Sequence, residues 1–254
     1  MNLIPMRRRS LLLGLLGLTG LAGLPLSSLA AAPDLNPLTH AAAMHVRATT
    51  SVVLGLGRVG RTGNRLVAVG ERGTILLSDD QGQSWRQVAC PVSVSLTGVS
   101  FGDDLHGWIV GHGQVVLTTA DGGQTWTRQL DGAQVAQIEL ASAKANGDAG
   151  LIRTAERLVA EGADKPFLDV HFFDASHGLV VGAYGSILAT EDGGKSWRSR
   201  RTEVPNPGSR HLYRIHLRDQ AVWLAGEQGL LLRAPDAQSA FTVVPTPYKG
   251  SFFG

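Results

Sequence analysis

Ser78-Asp79-Asp80-Gln81-Gly82-Gln83-Ser84-Trp85 reappears as Thr119-Ala120-Asp121-Gly122-Gly123-Gln124-Thr125-Trp126 and again as Thr190-Glu191-Asp192-Gly193-Gly194-Lys195-Ser196-Trp197. The shared pattern is hydroxyl, any, Asp, any, Gly, any, hydroxyl, Trp. Self-similarity of this kind decides the architecture before any single element is assigned. Counting back from each Trp, the pairs Ile75-Leu76, Val116-Leu117 and Ile187-Leu188 coincide, and so do Gly70, Gly111 and Gly182. Twenty positions before two of the Trp residues stand His106 and His177, each followed by Gly. The same ruler laid on Phe241 finds Asp236, Leu231-Leu232 and Gly226 in register, a decayed fourth copy in which Ala234 replaces the hydroxyl. The copies are 41, 71 and 44 residues apart, so one period near 42 carries an insertion of about 28.

Each unit reads as short strands. Val67-Ala68-Val69-Gly70 and Ile109-Val110-Gly111 are apolar runs ended by Gly, and Thr74 to Ser78 forms a second run leading into the motif. The motif itself is turn chemistry and falls on a hairpin connection. Its carboxylate and hydroxyl are expected to accept backbone N–H groups, and Gly82, Gly123 and Gly194 to adopt positive φ. Trp85, Trp126 and Trp197 supply apolar surface for packing between units. A four-stranded unit of this size cannot bury both faces alone. The expected fold is therefore all-β: a β-propeller of four-stranded blades spanning 50–254, with four blades and the start of a fifth at Ser251-Phe252-Phe253-Gly254. Because such rings close with more blades, a fragment of a longer protein is expected, with closure by a second chain or a small four- or five-bladed ring as alternatives.

The repeated string resembles the Asp-box, or BNR repeat. The longer pattern Phe101-x-Asp103-x-x-His106-Gly107-Trp108, repeated from Phe172 to Gly178, resembles the photosystem II stability/assembly factors and their exported bacterial relatives. That resemblance implies a non-enzymatic platform that binds a protein partner, a membrane protein or an assembly intermediate. It implies no cofactor, no metal and no small-molecule substrate. Arginine patches are part of what it implies, and Arg198, Arg200, Arg201, Arg210 and Arg214, with Tyr213 among them, are the candidate partner-binding residues. The alternative is a sialidase-like glycoside hydrolase, which needs a Tyr nucleophile or a carboxylate pair at the ring centre. Only Tyr184, Tyr213 and Tyr248 are available, without a catalytic string around them. The Asp-box residues Ser78, Asp80, Thr119, Asp121, Thr190, Asp192, Asp236 and Phe241 lie on separate hairpins and are read as scaffold, as are His106 and His177.

Residues 1–30 carry Arg7-Arg8-Arg9, an apolar run from Leu11 to Leu26 and small residues after it, the pattern of an export signal by the general or the twin-arginine route. A periplasmic or membrane-peripheral destination follows, with 31–49 as a linker. Removing the signal takes away three of 23 basic groups and none of 21 acidic ones, which turns a formal charge of +2 into −1. Nucleic acid is not an expected partner. Cys90 is the single cysteine, so no internal disulfide forms. Residues 131–165 break the repeat. Leu151, Ile152, Ala155, Leu158 and Val159 at helical spacing, with Val135 and Ile138 before them and Asn146-Gly147-Asp148 between, predict a helical hairpin.

Overall fold

In the computed structural model, residues 36–44, 52–60, 63–162 and 164–253 are described; the export segment 1–30 lies outside them. Four antiparallel sheets of four strands follow one another along the chain. The first holds β1 (Val53–Arg58), β2 (Leu66–Gly70), β3 (Ile75–Ser78) and β4 (Arg86–Gln87). The second holds β5 (Leu96–Phe101), β6 (Gly107–Gly111), β7 (Val116–Thr119) and β8 (Thr127–Leu130). The third is built from β9 (Phe167–Phe172), β10 (Gly178–Gly182), β11 (Ile187–Thr190) and β12 (Arg198–Ser199), and the fourth from β13 (Leu212–Arg218), β14 (Ala221–Gly226), β15 (Leu231–Ala234) and β16 (Thr242–Val243). These are the blades of a β-propeller, each strand paired only with its sequence neighbours.

Alternation along the second and third strands explains how blades stack. One face of β6 gives Trp108 and Val110 to the join with the third blade, while Ile109 faces the first. Both faces of β6 and β10 are therefore buried, which is why they read as continuous apolar runs rather than alternating ones. Three apolar cores result, one per join between neighbouring blades. The motif aromatics of the second to fourth blades pack backwards, Trp126 into the first join, Trp197 against the second and Phe241 into the third, while Trp85 packs on Ala68 and Leu76 of its own blade. Trp108 stacks flat on Phe172 of the next blade, centroids 3.4 Å apart and planes 2° from parallel.

Polar side chains on the innermost strands lock neighbouring blades in register. Thr97 Oγ1 donates to the Phe167 carbonyl at 2.8 Å, and Ser100 Oγ accepts the Phe172 N–H at 2.9 Å. Between the third and fourth blades Asp169 Oδ2 accepts the Ile215 N–H at 2.8 Å, with Arg214 Nη1 3.5 Å from its other oxygen. Burial pushes the Asp169 carboxyl up against the pull of those donors.

A tight turn joins the second and third strands of every blade: Glu71–Gly73, His112–Gln114, Ala183–Gly185 and Glu227–Gly229. In three of them the N–H of the last residue reaches chain beyond its own blade, Gly73 to Val94 O at 2.7 Å, Gln114 to Lys165 O at 2.8 Å and Gly229 to Gly250 O at 2.6 Å. Because the strands alternate in direction, these turns lie at one end of the blades and the Asp-boxes at the other. Residues 36–44, expected as linker, are tied in: Leu38 and Ala42 pack on the first core, and the Ala42 N–H donates to Cys90 O.

The insertion is two helices, α1 (Gly132–Asn146) and α2 (Ala149–Glu161). Asp131 caps α1 through the N–H groups of Ala133 and Gln134, and Gln134 returns a bond to the Asp131 N–H, a capping box. Gly147, at φ 78°, ends it, and Asp148 caps α2. Helix α1 lies against β12, and α2 packs on α1.

Candidate functional site

The Asp-boxes come first, because their carboxylates are the most repeated acids in the chain. In the second blade Asp121 Oδ1 accepts the N–H groups of Gln124 and Thr125 at 2.9 and 3.0 Å, and the Thr125 hydroxyl donates to Oδ2. The Thr119 hydroxyl gives its proton to Asp121 and accepts the N–H of Gly123. Gly123 sits at φ 88°, and an added Cβ would stand 3.0 Å from Val67 of the first blade, so both conformation and space demand glycine. Trp126 Nε1 closes the turn on the Gly123 carbonyl at 3.0 Å. Asp80 and Asp192 repeat the bonds from the hydroxyl and N–H four residues on, and Trp85 Nε1 closes its turn on Gly82, whereas Trp197 Nε1 is buried without a partner among the described residues.

These carboxylates are committed to their own turns. The Ser84 hydroxyl and N–H and the Ser78 hydroxyl hold Asp80 down at about 2. In Asp121 partial burial pushes upward and is overcome by the Thr125 hydroxyl and N–H, and Ser196 does the main work for Asp192; both also lie at about 2. A depressed carboxyl stabilises the fold above its unfolded value of 3.8 and loses that contribution as pH falls towards 2. The urea midpoint is therefore expected to drop between pH 5 and pH 2.5. The fall should be smaller in Asp121→Asn, read from denaturation curves at the two pH values.

A second repeated staple accompanies them. Asp103 accepts the N–H groups of Leu105 and His106 and lies 2.8 Å from His106 Nδ1; Asp174 does the same for Ser176 and His177. Gly178 follows because the Phe172 ring lies across it, where a Cβ would come within 2.4 Å. Both histidines thus stabilise loops.

In the second, third and fourth Asp-boxes one carbonyl, that of the residue after the Asp, is a socket for the preceding blade. Gly122 O takes Arg65 Nη1 at 3.2 Å; Gly193 O takes Trp108 Nε1 at 3.2 Å and Gln129 Nε2 at 3.0 Å. In the decayed fourth copy the equivalent Ala237 O takes Arg200 Nη1 at 2.6 Å, and Nη2 adds Ser239 O at 2.8 Å. Arg200 also pairs with Glu203 at 2.7 Å and lies over the Phe241 ring.

This placement corrects part of the candidate arginine set. Arg200 is 1 % exposed, so it holds two blades together and cannot meet a partner. Arg201 is 16 % exposed, bound to Glu139 Oε2 at 3.1 Å and to the Tyr184 carbonyl at 2.8 Å. Arg198 reaches Glu203 at 2.6 Å. Arg214 is half-exposed beside Asp169. Arg210 has no acidic partner among the described residues, and Tyr213 follows it by three positions on β13. The set is thus two groups: Arg198, Arg200 and Arg201 serve the blade and its insertion, while Arg210, Tyr213 and Arg214 stand at the turn end of the fourth blade.

The structure brings to that end three side chains not counted as partner-binding from the sequence. Tyr184, considered only as a nucleophile, meets His211 edge to face at 4.9 Å; His211 meets Tyr213 at 6.1 Å; and Lys165 Nζ stands 5.4 Å from the Tyr184 ring centre. At the Asp-box end an opening of about 630 Å³ is lined by Gly60, Asp103, Asp104, His171, Phe173 and Leu217 among others. Burial holds His171 down at about 4, so it is neutral there. None of the three tyrosines lines that opening.

Comparison with known proteins places these features. A family model described as photosynthesis system II assembly factor YCF48 matches residues 77–165 and 153–249. A photosystem II assembly lipoprotein Ycf48 from Synechococcus sp. (strain CC9902) is 39 % identical over 75 residues, 30 % of this chain and 22 % of the relative. The solved structure of YCF48 bound to D1 peptide aligns with TM-score 0.51 at 21 % identity over 83 % of this chain and 59 % of that one. A GH74 xyloglucanase from Xanthomonas campestris aligns with TM-score 0.53 at 14 % identity, over 78 % of this chain and 32 % of the enzyme. At those identities the two structures share the fold. The chain spans less than two thirds of each of these proteins.

Proposed function

The chain belongs to the photosynthesis system II assembly factor YCF48 family, and from that membership we propose that it is a non-enzymatic, exported β-propeller that binds a protein client during assembly of a membrane-protein complex. The match of the family model across residues 77–249, most of the blades, carries the reading. A relative solved with a D1 peptide supports a polypeptide as the bound species. The basic, apolar and small-residue order of residues 1–30 supports export.

Two readings of the surface separate here. A hydrolase would need uncommitted acids or a tyrosine in its cleft. Yet the Asp-box carboxylates and Asp103 are bound within their turns, which leaves Asp104 at the large opening without a second free carboxylate to pair with, and Tyr184, Tyr213 and Tyr248 do not line that opening. A binding platform needs only an exposed, chemically mixed surface, and the turn end of the third and fourth blades offers Arg210, Tyr213 and Arg214. The test is capture from detergent-solubilised membranes of the source organism by the full exported chain, with identification by mass spectrometry. An integral membrane protein is expected, retained about tenfold less by Arg210→Glu with Tyr213→Ala. Turnover of a xyloglucan oligosaccharide or a fluorogenic sialoside, or failure to retain any membrane protein, would overturn the proposal.

A further inference from the structure

Beyond the export segment the chain holds four asparagines, and the residue after each decides whether its side-chain amide can be lost. The loss requires the next backbone nitrogen to attack the Asn Cγ and close a succinimide ring, with ammonia leaving. Proline has no N–H to give up at that position, and a side chain there crowds the ring, whereas glycine does neither. Asn36 and Asn206 both precede proline. Asn64 precedes Arg65, and its Oδ1 is taken by Gln81 Nε2 at 2.7 Å. Asn146 precedes Gly147.

The turn of the helical insertion gives that pair room. Asn146 is the last residue of α1, and Gly147 follows it in the left-handed region at φ 78° and ψ 5°. Residues 144–149 are exposed throughout, and a Cβ placed on Gly147 would meet nothing within 4 Å, so a ring can close there without touching another element. The bond to be released is that of the Gly147 N–H to the Ala143 carbonyl at 3.1 Å, at the end of the helix. Helix ends open far more readily than the rest of a fold. The Asp–Gly pairs of the Asp-boxes could form the same ring, but their carboxylates are held inside the turns. The N–H groups of Gly122 and Gly193 are also engaged, by Leu105 O at 2.9 Å and Ser176 O at 2.8 Å.

Water opens a succinimide at either carbonyl, to aspartate or isoaspartate, and in both cases an amide has become a carboxylate. The new charge stands at the C-terminal end of α1, where the helix dipole disfavours it, and close in sequence to Asp148, which caps α2. In isoaspartate the main chain also runs through the side-chain methylene, so the Gly147 N–H loses its place opposite Ala143. Glu139, which ties α1 to Ser199 and Arg201 of the third blade, lies about two turns back. The anchored part of α1 and the blades therefore keep their contacts, and the turn with α2 is what loosens.

We propose that Asn146 is a deamidation site: the Gly147 nitrogen attacks its Cγ, ammonia leaves, water opens the ring, and the resulting carboxylate frees the α1–α2 turn while the blades stay closed. The insertion then carries a record of the time elapsed since the chain was made. This goes beyond the client-binding reading and does not depend on it.

The test holds the full exported chain in mildly alkaline buffer at growth temperature and maps it with trypsin by mass spectrometry. The fragment 145–153 is expected to gain about 1 Da, and the fragments carrying Asn36, Asn64 and Asn206 to gain it about tenfold more slowly or not at all. Labelling by protein isoaspartyl methyltransferase should rise over the same period and be lost in Asn146→Ser. Asn146→Asp, which carries the charge from the start, should be cut between α1 and α2 severalfold faster than wild type by a protease of low selectivity, with the urea midpoint unchanged. No gain on 145–153, or a gain at Asn64 that matches it, overturns the site. Equal cleavage of Asn146→Asp and wild type overturns the loosening of the turn. The wild-type masses decide the site whatever the variants do.

Discussion

Replacing Arg200 by alanine is expected to destabilise the chain by about 3–5 kcal/mol, because two bonds from a charged donor to the Ala237 and Ser239 carbonyls are lost at about 1.5–3 kcal/mol each. The fourth Asp-box has no hydroxyl at position 234, so nothing there repeats the bond from Thr119 to Gly123 or from Thr190 to Gly194. Asp236 still accepts the N–H groups of Gln238 and Ser239, and the Ser239 contacts lead in holding its carboxyl below the ordinary range. What organises the rest of that turn is the guanidinium, spread over the carbonyls of Ala237 and Ser239 with Glu203 on its other edge. Without it, half-buried carbonyls lose their donors and Phe241 loses the flat cation above it. Lysine offers a point charge in place of a fork and should recover less than half of the loss. Denaturant titration of the three proteins measures this. An alanine variant within about 1 kcal/mol of wild type would show that the contacts of Arg200 with the fourth blade contribute little.

Trp108→Ala should cost a similar amount, about 3–5 kcal/mol, for a different reason. Trp108 is 2 % exposed, fills the join between the second and third blades, and stacks on Phe172, which in turn meets Trp197 edge to face at 6.2 Å. Its removal opens a cavity between two sheets rather than within one, and neither sheet can close it without leaving the register set by Ser100 and Thr97. Trp108→Phe keeps a stacked ring and forfeits the N–H to Gly193, so a loss of only about 1 kcal/mol is expected. If the alanine and phenylalanine variants unfold at the same denaturant concentration, the ring stack is not what holds the two blades.

The blades were legible in the sequence because three of them repeat a complete set of local demands, an Asp and a hydroxyl for the turn, a glycine at positive φ and an aromatic, and the fourth keeps the Asp and the aromatic. The helices of the insertion were legible for the same reason, through apolar spacing and the Gly147-Asp148 boundary. The donors that cross between blades were not. Arg65 and Trp108 stand at different points of their units, and although Gln129 and Arg200 share one, three residues after Trp126 and Trp197, their types differ and nothing in the string marks them as donors. Arg200 therefore read as one more member of an arginine-rich stretch, when burial gives it a different task from Arg210. Tyr184 was hidden by its neighbours in the opposite sense. Only folding brings it to His211, twenty-seven positions away, and to Lys165 at the start of its own blade.

The socket at the fourth Asp-box also constrains the order in which its sequence could have changed. A turn that loses its hydroxyl while no donor reaches over from the previous blade is weakened, whereas one already spanned by an arginine can lose it at little cost. The route of least harm puts arginine at 200 first and alanine at 234 afterwards. Once both are present the step cannot be retraced singly: reverting Arg200 alone exposes a defect that it had been concealing. Restoring Thr at 234 before removing Arg200 should reopen the path, so the two positions are expected to show strong, sign-dependent epistasis although 34 residues separate them.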